Sequence, residues 1–295
     1  MKHNKVLLGH VLAFFTIIVW GTTYISTKVL LRDFTPIEIL FTRFTIAYLV
    51  LWLVYPRKLA FVNWRQEGLY AAAGLCGVTL YFLFENVALT YTNASNVGVI
   101  GAVAPFFTAI FGCILLHNKR PNKRFFLGFV IAMVGISLIS FNGESVEVNP
   151  FGDFLAAIGA IVWAIYSIIS KKLSSYGHNT IQTTRRTFFY GIIFMIPVLF
   201  FMDFNLTISM FNDISNILNL LFLGFCASAI GFVTWNYAVK VLGAVKTSNY
   251  IYMTPVVTTV TSIIVLHEKI NFIAAVGIAL TLIGLFLSES KREQS

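Results

Sequence analysis

Charged residues are scarce in this chain. Only 11% of its 295 residues are Asp, Glu, Lys or Arg, whereas 58% are hydrophobic, and the mean hydropathy is +0.81. Ordinary soluble domains carry about 25% charged residues. A soluble chain of this composition could not cover its own core. The composition therefore excludes an ordinary soluble domain and predicts an integral membrane protein.

Cysteines are few and the common catalytic motifs are missing. Cys76, Cys113 and Cys226 all fall inside apolar runs, which excludes a disulfide framework. The sequence has no HExxH, GxSxG, Walker A or GxGxxG motif, and no two of its five His residues have metal-ligand spacing on a helix. We therefore expect no metal, no cofactor, no primary ATPase and no recognisable hydrolase, and thus no enzyme.

Long apolar runs dominate what is present. A spanning helix needs about 20 mostly apolar residues. Helix-start signals open two of the runs, Thr35-Pro36-Ile37-Glu38 and Asn149-Pro150. We expect an all-α integral membrane protein with ten transmembrane helices and no soluble domain. The predicted spans are residues 8–31, 36–55, 67–89, 94–116, 124–141, 151–171, 180–202, 215–239, 245–266 and 271–288.

The basic residues predict the orientation. The net charge of +9 sits in short clusters between apolar runs, which argues against a nucleic-acid partner. With the N-terminus inside, 17 of the 21 Lys and Arg residues face the cytoplasm, so both termini are predicted to be cytoplasmic. The first apolar run lacks a small-x-small cleavage site and is interpreted as a retained span. The Phe-, Ile- and Asn-rich composition favours a bacterial source, and hence the inner membrane.

The two halves of the chain repeat each other. Ala88, Pro105 and His117 have the same spacings as Ala238, Pro255 and His267, at an offset of 150 residues. Upstream the offset is 143, where Trp20 aligns with Trp163, Lys28 with Lys171 and Arg43 with Arg186. We therefore expect two repeats, residues 1–143 and 144–295, each with five spans.

Because five is odd, the second repeat must cross the membrane in the opposite sense. The loop charges agree. Basic KRPNKR after span four aligns with HEKIN after span nine, and near-neutral RDFT after span one aligns with basic KKLSSYGHNT after span six. Inverted five-helix repeats are typical of secondary transporters with a site near the bilayer midplane.

Several segments carry a family pattern: Val19-Trp20-Gly21-Thr22-Thr23-Tyr24, Pro36 followed by Arg43, and Ala94-Ser95-Asn96 with Pro105 and the closing glycines. These segments resemble the ten-helix EamA-type members of the drug/metabolite transporter superfamily, and the resemblance covers essentially the whole chain. It implies transport of amino acids, nucleobases, sugars, drugs or other metabolites, often outward. It also implies a cavity lined by spans 1, 3, 4, 6, 8 and 9. Where the family often has Gly-Glu after spans four and nine, this chain has His117-Asn118 and His267-Glu268.

Glu85 is a charge inside an apolar run, TLYFLFENVALTYT. An ionised carboxylate in lipid is costly and should face protein or water. One reading is a structural ion pair with Arg43 or Lys28, which lie at similar depth; another is substrate or proton binding; a third is snorkelling to the surface. Arg43 itself is either an anchor at the helix end or the partner of Glu85.

Aromatic and polar residues deep in the spans are candidates for lining a substrate cavity. Trp20 and Tyr24 are one turn apart, as are Tyr81 and Glu85, so each pair shares a helix face. Such aromatics more commonly pack or form interfacial belts. An aromatic cavity would suit amphipathic substrates and could hold a cation against ring faces. The candidate set is Trp20, Tyr24, Tyr81, Glu85, Asn96, Trp163, Tyr166, Trp235 and Tyr250.

Pro105 and Pro255 lie at equivalent places in spans four and nine. Each is predicted to remove a mid-span hydrogen bond and to free a carbonyl, that of Gly101 or of Ile251. The result is either a static kink or a hinge that borders the site.

Two other sets of residues are interpreted as packing. Asn86 and its equivalent Asn236 are expected to hydrogen-bond between helices. Gly128, Gly135, Gly277 and Gly284 form a small-residue stripe for close helix contact.

Together these features predict a secondary transporter, and more specifically an exporter, of small metabolites such as amino acids or amphipathic compounds, working by alternating access. Its partners are a small-molecule substrate and the lipid bilayer. Proton coupling through Glu85, uniport and exchange remain open, as does the oligomeric state. Two other classes of protein make different predictions. A membrane-embedded enzyme would need clustered catalytic groups at one interface. A non-transporting accessory or receptor protein should lack a substrate-sized polar cavity.

Overall fold

The structure is a computed structural model that describes residues 2–92, 94–117, 121–140, 149–266 and 272–289. Helices α1 to α10 account for nearly all of these residues, with one short 3₁₀ turn, Ile208–Phe211, between α7 and α8. The helices are α1 Lys2–Leu30, α2 Pro36–Val54, α3 Trp64–Tyr91, α4 Ala94–Gly101 with Ala104–Leu115, α5 Lys123–Ser140, α6 Pro150–Ser174, α7 Thr180–Phe201, α8 Ile214–Leu242, α9 Ala244–Ser248 with Asn249–Met253 and Thr254–Leu266, and α10 Phe272–Glu289.

Seven stretches of the described chain are long and apolar enough to cross a membrane. They are Asn4–Leu30, Pro36–Val54, Trp64–Tyr91, Val97–Leu115, Pro150–Ser174, Thr180–Phe201 and Ile214–Leu242. Helices α5 and α10 have 18 residues each, and α9 is interrupted. The fold is therefore that of a multi-pass helical membrane protein, as the composition predicts.

Both predicted helix starts are formed. The Glu38 carboxylate accepts a hydrogen bond from the Thr35 backbone N–H at 2.8 Å, and Pro36 occupies the first turn of α2. At α6, the Asn149 side chain accepts a hydrogen bond from the Gly152 N–H at 3.0 Å. Each cap satisfies a backbone N–H at the helix start that has no partner within the helix.

Pro105 lies within the membrane-length stretch Val97–Leu115, as predicted, but each proline follows a break in its helix instead of interrupting a continuous one. Helix α4 stops at Gly101, turns through Ala102 and Val103, and restarts at Ala104, so that Pro105 lies in a first turn. A proline costs little there, because its missing N–H would have no intrahelical partner. In α9 the 3₁₀ stretch Asn249–Met253 precedes Thr254, so Pro255 also follows a break.

Helices α3 and α8 share another irregularity. Each contains a π-helical stretch, Leu75–Leu80 in α3 and Phe222–Ile230 in α8. A glycine lies at or beside the start of each stretch, where a second helix approaches closely. A Cβ on Gly74 would lie 2.6 Å from the Gly191 nitrogen of α7, and one on Gly224 would lie 2.7 Å from the Ile46 side chain of α2. These contacts pack each half of the chain against the other.

The glycine stripe joins α5 to α10, as predicted. A Cβ on Gly128 would lie 2.7 Å from the Gly284 carbonyl oxygen, and one on Gly135 would lie 2.6 Å from that of Gly277. The backbones of the two helices are therefore in direct contact, the arrangement that small residues permit within a membrane.

The two asparagines also bridge helices, as predicted. Asn86 of α3 donates to the Pro36 carbonyl at the start of α2 at 3.2 Å. Asn236 of α8 donates to the Thr184 hydroxyl of α7 at 3.1 Å and accepts from Tyr166 of α6 at 2.8 Å.

The glycine contact gives a stability prediction. Gly135→Ala would place a methyl group 2.5 Å from the Thr281 nitrogen, a backbone atom that cannot move without displacing α10. We expect it to destabilise the protein by about 1–3 kcal/mol, as overpacked sites do. Thermal unfolding of the purified protein in detergent measures the loss.

Gly68→Ala is the matched control, because nothing lies within 4 Å of a Cβ at that helical position. It should leave stability unchanged or raise it slightly, since alanine favours helices. Equal unfolding temperatures for the two variants would contradict the close contact of α5 with α10.

Candidate functional site

A cavity lies between the two halves of the chain. It is lined by residues of α1 to α4 from the first half and of α6 and α9 from the second. Its volume is about 40 Å³. That is room for a few water molecules. The lining residues are Trp20, Thr23, Tyr24, Arg43, Tyr81, Phe82, Glu85, Gly98, Gly101, Ala102, Ala104, Trp163, Ile251 and Thr254.

Glu85 is part of the cavity wall rather than the lipid-facing surface. Its side chain is buried, and its Oε2 accepts a hydrogen bond of 2.5 Å from the Tyr81 hydroxyl one turn earlier on α3. The second carboxylate oxygen has no hydrogen-bond partner among the described residues. The snorkelling alternative is thus wrong, and the carboxylate keeps one oxygen free inside the cavity.

Arg43 lies in the same cavity but does not pair directly with Glu85. The guanidinium carbon is 4.4 Å from the centre of the Phe82 ring and 5.2 Å from that of Phe44, and Nε donates to the Ser228 hydroxyl at 3.0 Å. No nitrogen of Arg43 comes within 4.0 Å of a Glu85 oxygen. The direct ion pair considered from the sequence is therefore not formed, because the guanidinium is held against aromatic rings and a hydroxyl.

Lys28 is not the partner of Glu85 either. Its Nζ donates to the Leu89 carbonyl at 2.9 Å, in the last turn of α3. A cation at that place stabilises the carbonyl end of the helix. Glu85 therefore forms no direct ion pair with Arg43 or with Lys28. Its role in substrate or proton binding stays a prediction.

An aromatic cluster lies beneath the two tryptophans of the lining. The Trp20 and Trp163 rings meet edge to face with centroids 5.2 Å apart, and Trp235 lies 5.0 Å from Trp20. Trp235 and Tyr166 are fully buried and lie outside the cavity, behind this pair. Both residues were predicted to line the cavity. In the structure they support Trp20 and Trp163 from behind, where α8 packs against α1 and α6.

Tyr250 also lies outside the cavity lining, and the predicted place of Asn96 stays a prediction. The Tyr250 hydroxyl is 2.6 Å from Nδ1 of His10 on α1. The side chain of Asn96 lies outside the described residues. By contrast, Trp20, Tyr24, Tyr81, Glu85 and Trp163 all line the cavity, and Gly101 and Ile251 next to the helix breaks do so as well.

Sequence reasoning missed part of the lining. Phe82 and Thr254 carry no charge or spacing that separates them from ordinary packing residues. Gly98 and Ala102 are small residues spaced by four, at and just after the first part of α4. Such spacing could have indicated a helix face without large side chains, next to a cavity. Helix α2 contributes Arg43 and α8 contributes no lining residue, which corrects the set of cavity helices expected from the family resemblance.

Comparison with known families decides the class of protein. The family model described as "EamA-like transporter family" matches the chain twice, over residues 7–141 and 150–289. The chain belongs to the EamA-like transporter family. It is accordingly a transporter and not an enzyme.

Relatives of this transporter are similar over nearly their full length. An uncharacterized transporter of Archaeoglobus fulgidus is 29% identical, with 97% of this chain and 98% of the relative covered. A protein of Streptantibioticus cattleyicolor named "probable terminal-alkyne amino-acid exporter" is 24% identical, with 97% and 94% covered. One solved structure superposes with a TM-score of 0.76 at 19% identity, covering 97% of this chain and 98% of that one, which shows a shared fold.

The two tryptophans of the transporter's cavity occupy equivalent sequence positions but differ in their hydrogen bonds. Trp20 Nε1 donates to the Ala227 carbonyl at 2.9 Å and lies against Gly231, where a Cβ would come within 2.7 Å of that nitrogen. The position equivalent to Gly231 is Tyr81, whose ring centre lies 4.7 Å from that of Trp163. Nε1 of Trp163 is buried and has no hydrogen-bond partner in the described residues.

This difference predicts unequal effects of two matched substitutions. Trp20→Phe removes a hydrogen bond and leaves the Ala227 carbonyl without its partner, so it should lose about 0.5–1.5 kcal/mol more stability than Trp163→Phe. Thermal unfolding in detergent without ligand gives the comparison. The unequal roles of the two indoles would be refuted by equal losses, or by a larger loss for Trp163→Phe.

Proposed function

We propose that this transporter is a secondary carrier that moves small amphipathic metabolites such as amino acids outward across the bacterial inner membrane by alternating access. The observation that carries the proposal is the cavity itself. It is lined by helices of both halves, and it has a carboxylate and a guanidinium on a wall of aromatic and small residues. Sites between repeats, near the middle of the membrane, are where carriers of this design bind substrate.

Equivalent contacts in the two halves support an inverted repeat of ten membrane spans. Lys28 of α1 donates to a carbonyl in the last turn of α3, and Lys171 of α6 donates to the Lys240 carbonyl in the last turn of α8, both at 2.9 Å. Gly74 of α3 contacts α7, and its equivalent Gly224 of α8 contacts α2. The two matches to the family model, over residues 7–141 and 150–289, agree with this division.

The direction of the cavity follows from the charge bias of the loops. With both termini in the cytoplasm, the lining residues of α1, α2 and α3 lie in the outer half of their spans. On the cytoplasmic side of them, the Thr16 and Thr234 hydroxyls are 2.7 Å apart, and His10 contacts Tyr250. These contacts join the first half of the chain to the second. With this orientation, the two contacts support a state that is closed toward the cytoplasm.

The substrate class is inferred from the wall and from one relative. Rings of Trp20, Trp163, Tyr24 and Tyr81 offer apolar surface with polar edges, which suits a molecule having both characters. The Streptantibioticus relative is named an amino-acid exporter. A small metabolite with a polar head and an apolar part is the class that fits both observations.

The primary experiment is a thermal-stabilisation screen of the purified protein against amino acids, amines, nucleobases and sugars. Compounds that stabilise the protein are then tested by counterflow in proteoliposomes. Saturable counterflow of at least one compound is expected. Stabilisation without any counterflow would point to a receptor instead.

Alternating access predicts that fixing the cytoplasmic contact stops transport. In a background without Cys76, Cys113 and Cys226, Thr16→Cys with Thr234→Cys places two thiols where hydroxyls are 2.7 Å apart. Oxidation should join α1 to α8 and abolish counterflow, because the cavity can no longer open to the cytoplasm. Reduction should restore it.

Each single cysteine variant is the control, and its counterflow should not respond to oxidant. The extent of cross-linking is read by mass spectrometry of the same liposomes. Undiminished counterflow at complete cross-linking would show that substrate does not pass between α1 and α8, and it would rule out this route of access.

A further inference from the structure

The cavity contains two buried opposite charges that do not neutralise each other directly. We propose that it is built for a zwitterion, with the substrate's carboxylate held by Arg43 and its ammonium group held by Glu85. This inference rests on the proposed transport function and names the substrate class of the same site. It makes Arg43 and Glu85 the residues that determine specificity.

The separation of the two charges is the first step of the argument. Burying an ion without a partner is costly, and buried pairs usually meet in direct contact. Here no Arg43 nitrogen lies within 4.0 Å of Glu85, although both residues are buried and line one cavity. A ligand with one negative and one positive group could place the negative group at Arg43 and the positive group at Glu85, and so neutralise both residues at once.

Free hydrogen-bonding capacity is the second step. Arg43 uses Nε for Ser228, and its two terminal nitrogens have no hydrogen-bond partner in the described part of the chain. Those two nitrogens form the fork that suits a carboxylate. Glu85 uses one oxygen for Tyr81 and keeps the other for a donor such as an ammonium group.

The aromatic wall supplies the third step. Trp163 contributes its ring to the cavity lining. The faces of Trp20 and Tyr24 can contact an ammonium group and an apolar side chain together. A free amine would leave Arg43 without its anion, and a simple acid would leave Glu85 without its cation.

The comparison of the two halves shows that the site is specific to one of them. In the second half, Trp235 occupies the position equivalent to Glu85, and Arg186 occupies that of Arg43. Arg186 lies away from the cavity and forms an ion pair of 2.6 Å with Glu67. The acid and base of the cavity therefore both belong to the first repeat, on α2 and α3, and the repeated scaffold itself does not require them.

The experiment compares ligands that share a side chain and differ in their charged groups. Binding of L-alanine, L-leucine and L-phenylalanine to the purified full-length protein is measured by thermal stabilisation and tryptophan fluorescence. Each is compared with its amine (ethylamine, isoamylamine, phenethylamine) and with its acid (propionate, 4-methylpentanoate, 3-phenylpropionate). At least one amino acid should bind at least about tenfold more tightly than either analogue, the usual loss when a charged partner is left unpaired.

The variants assign each charge to its residue. Glu85→Gln should bring the affinity for the amino acid down to that for the acid analogue, and Arg43→Gln should bring it down to that for the amine. Arg43→Lys keeps the positive charge but lacks the two parallel donor nitrogens of the guanidinium. It replaces Arg43→Gln in the comparison if that variant does not fold. Arg186→Gln is the matched control outside the cavity and should keep the wild-type discrimination.

An amine or an acid that binds as tightly as its parent amino acid would overturn the inference, as would the absence of binding by all three amino acids. A nucleobase or sugar that shows counterflow while no amino acid binds would overturn this inference and leave the proposed transport function standing. If no compound of the screen shows counterflow, the proposed function itself fails.

Discussion

The cost of burying charge in a bilayer is the constraint on which the interior of this protein depends. Each polar group there must find a partner inside the protein, because the surrounding lipid offers none. Most do: Lys28 and Lys171 neutralise helix ends, Asn236 joins three helices, and Glu38 caps α2. Several buried polar atoms of the described residues nevertheless lack a hydrogen-bond partner, among them Asp153 Oδ1 and Trp163 Nε1. Glu85 and Arg43 are the two charged residues of the cavity lining, and each keeps hydrogen-bonding atoms without a partner among the described residues.

The contacts that hold the halves together explain how such a cavity can persist. Gly74 and Gly224 allow α3 and α8 to touch helices of the other half at backbone distance, and the π-helical stretches begin at or beside these contacts. A π-helical stretch widens a helix locally and re-aims the residues that follow it. In α3 those following residues are Tyr81 and Glu85. The π-helical stretch of α3 therefore connects the packing of the two halves with the position of the Glu85 carboxylate.

Much of the fold could be predicted from the sequence, because its signals are local and periodic. The lengths of the apolar runs anticipate most helix positions, and the Thr35 and Asn149 starts and the glycine stripe are formed as expected. Pro105 and Pro255 correctly indicated interrupted helices. Each helix breaks just before its proline, however, and the proline lies in the first turn of the next helical segment. A proline in the sequence indicates that a helix break is near, but it does not determine the residue at which the helix stops.

The site was predicted only in part, because side-chain pairing depends on which rings occupy the intervening space. Depth in the membrane suggested Arg43 as the partner of Glu85, yet Phe82 and Ser228 hold the guanidinium instead. Arg186 is equivalent to Arg43 in sequence, but its surroundings differ. Arg186 meets Glu67, a residue for which the other half offers only Ile217, so Arg43 has no such partner.

The proposed inverted repeat gives that last difference a simple explanation. Two copies of one helix pairing, α2 with α8 and α7 with α3, each place an arginine beside the neighbouring helix. Where that helix supplies a carboxylate in reach, as Glu67 does, the charge becomes structural. Where the helix supplies only Ser228, the guanidinium keeps its terminal nitrogens free and faces the cavity. Glu85 then adds the opposite charge to the same cavity, beyond ion-pair reach of Arg43, and this separation of charges is what the proposed zwitterion site requires.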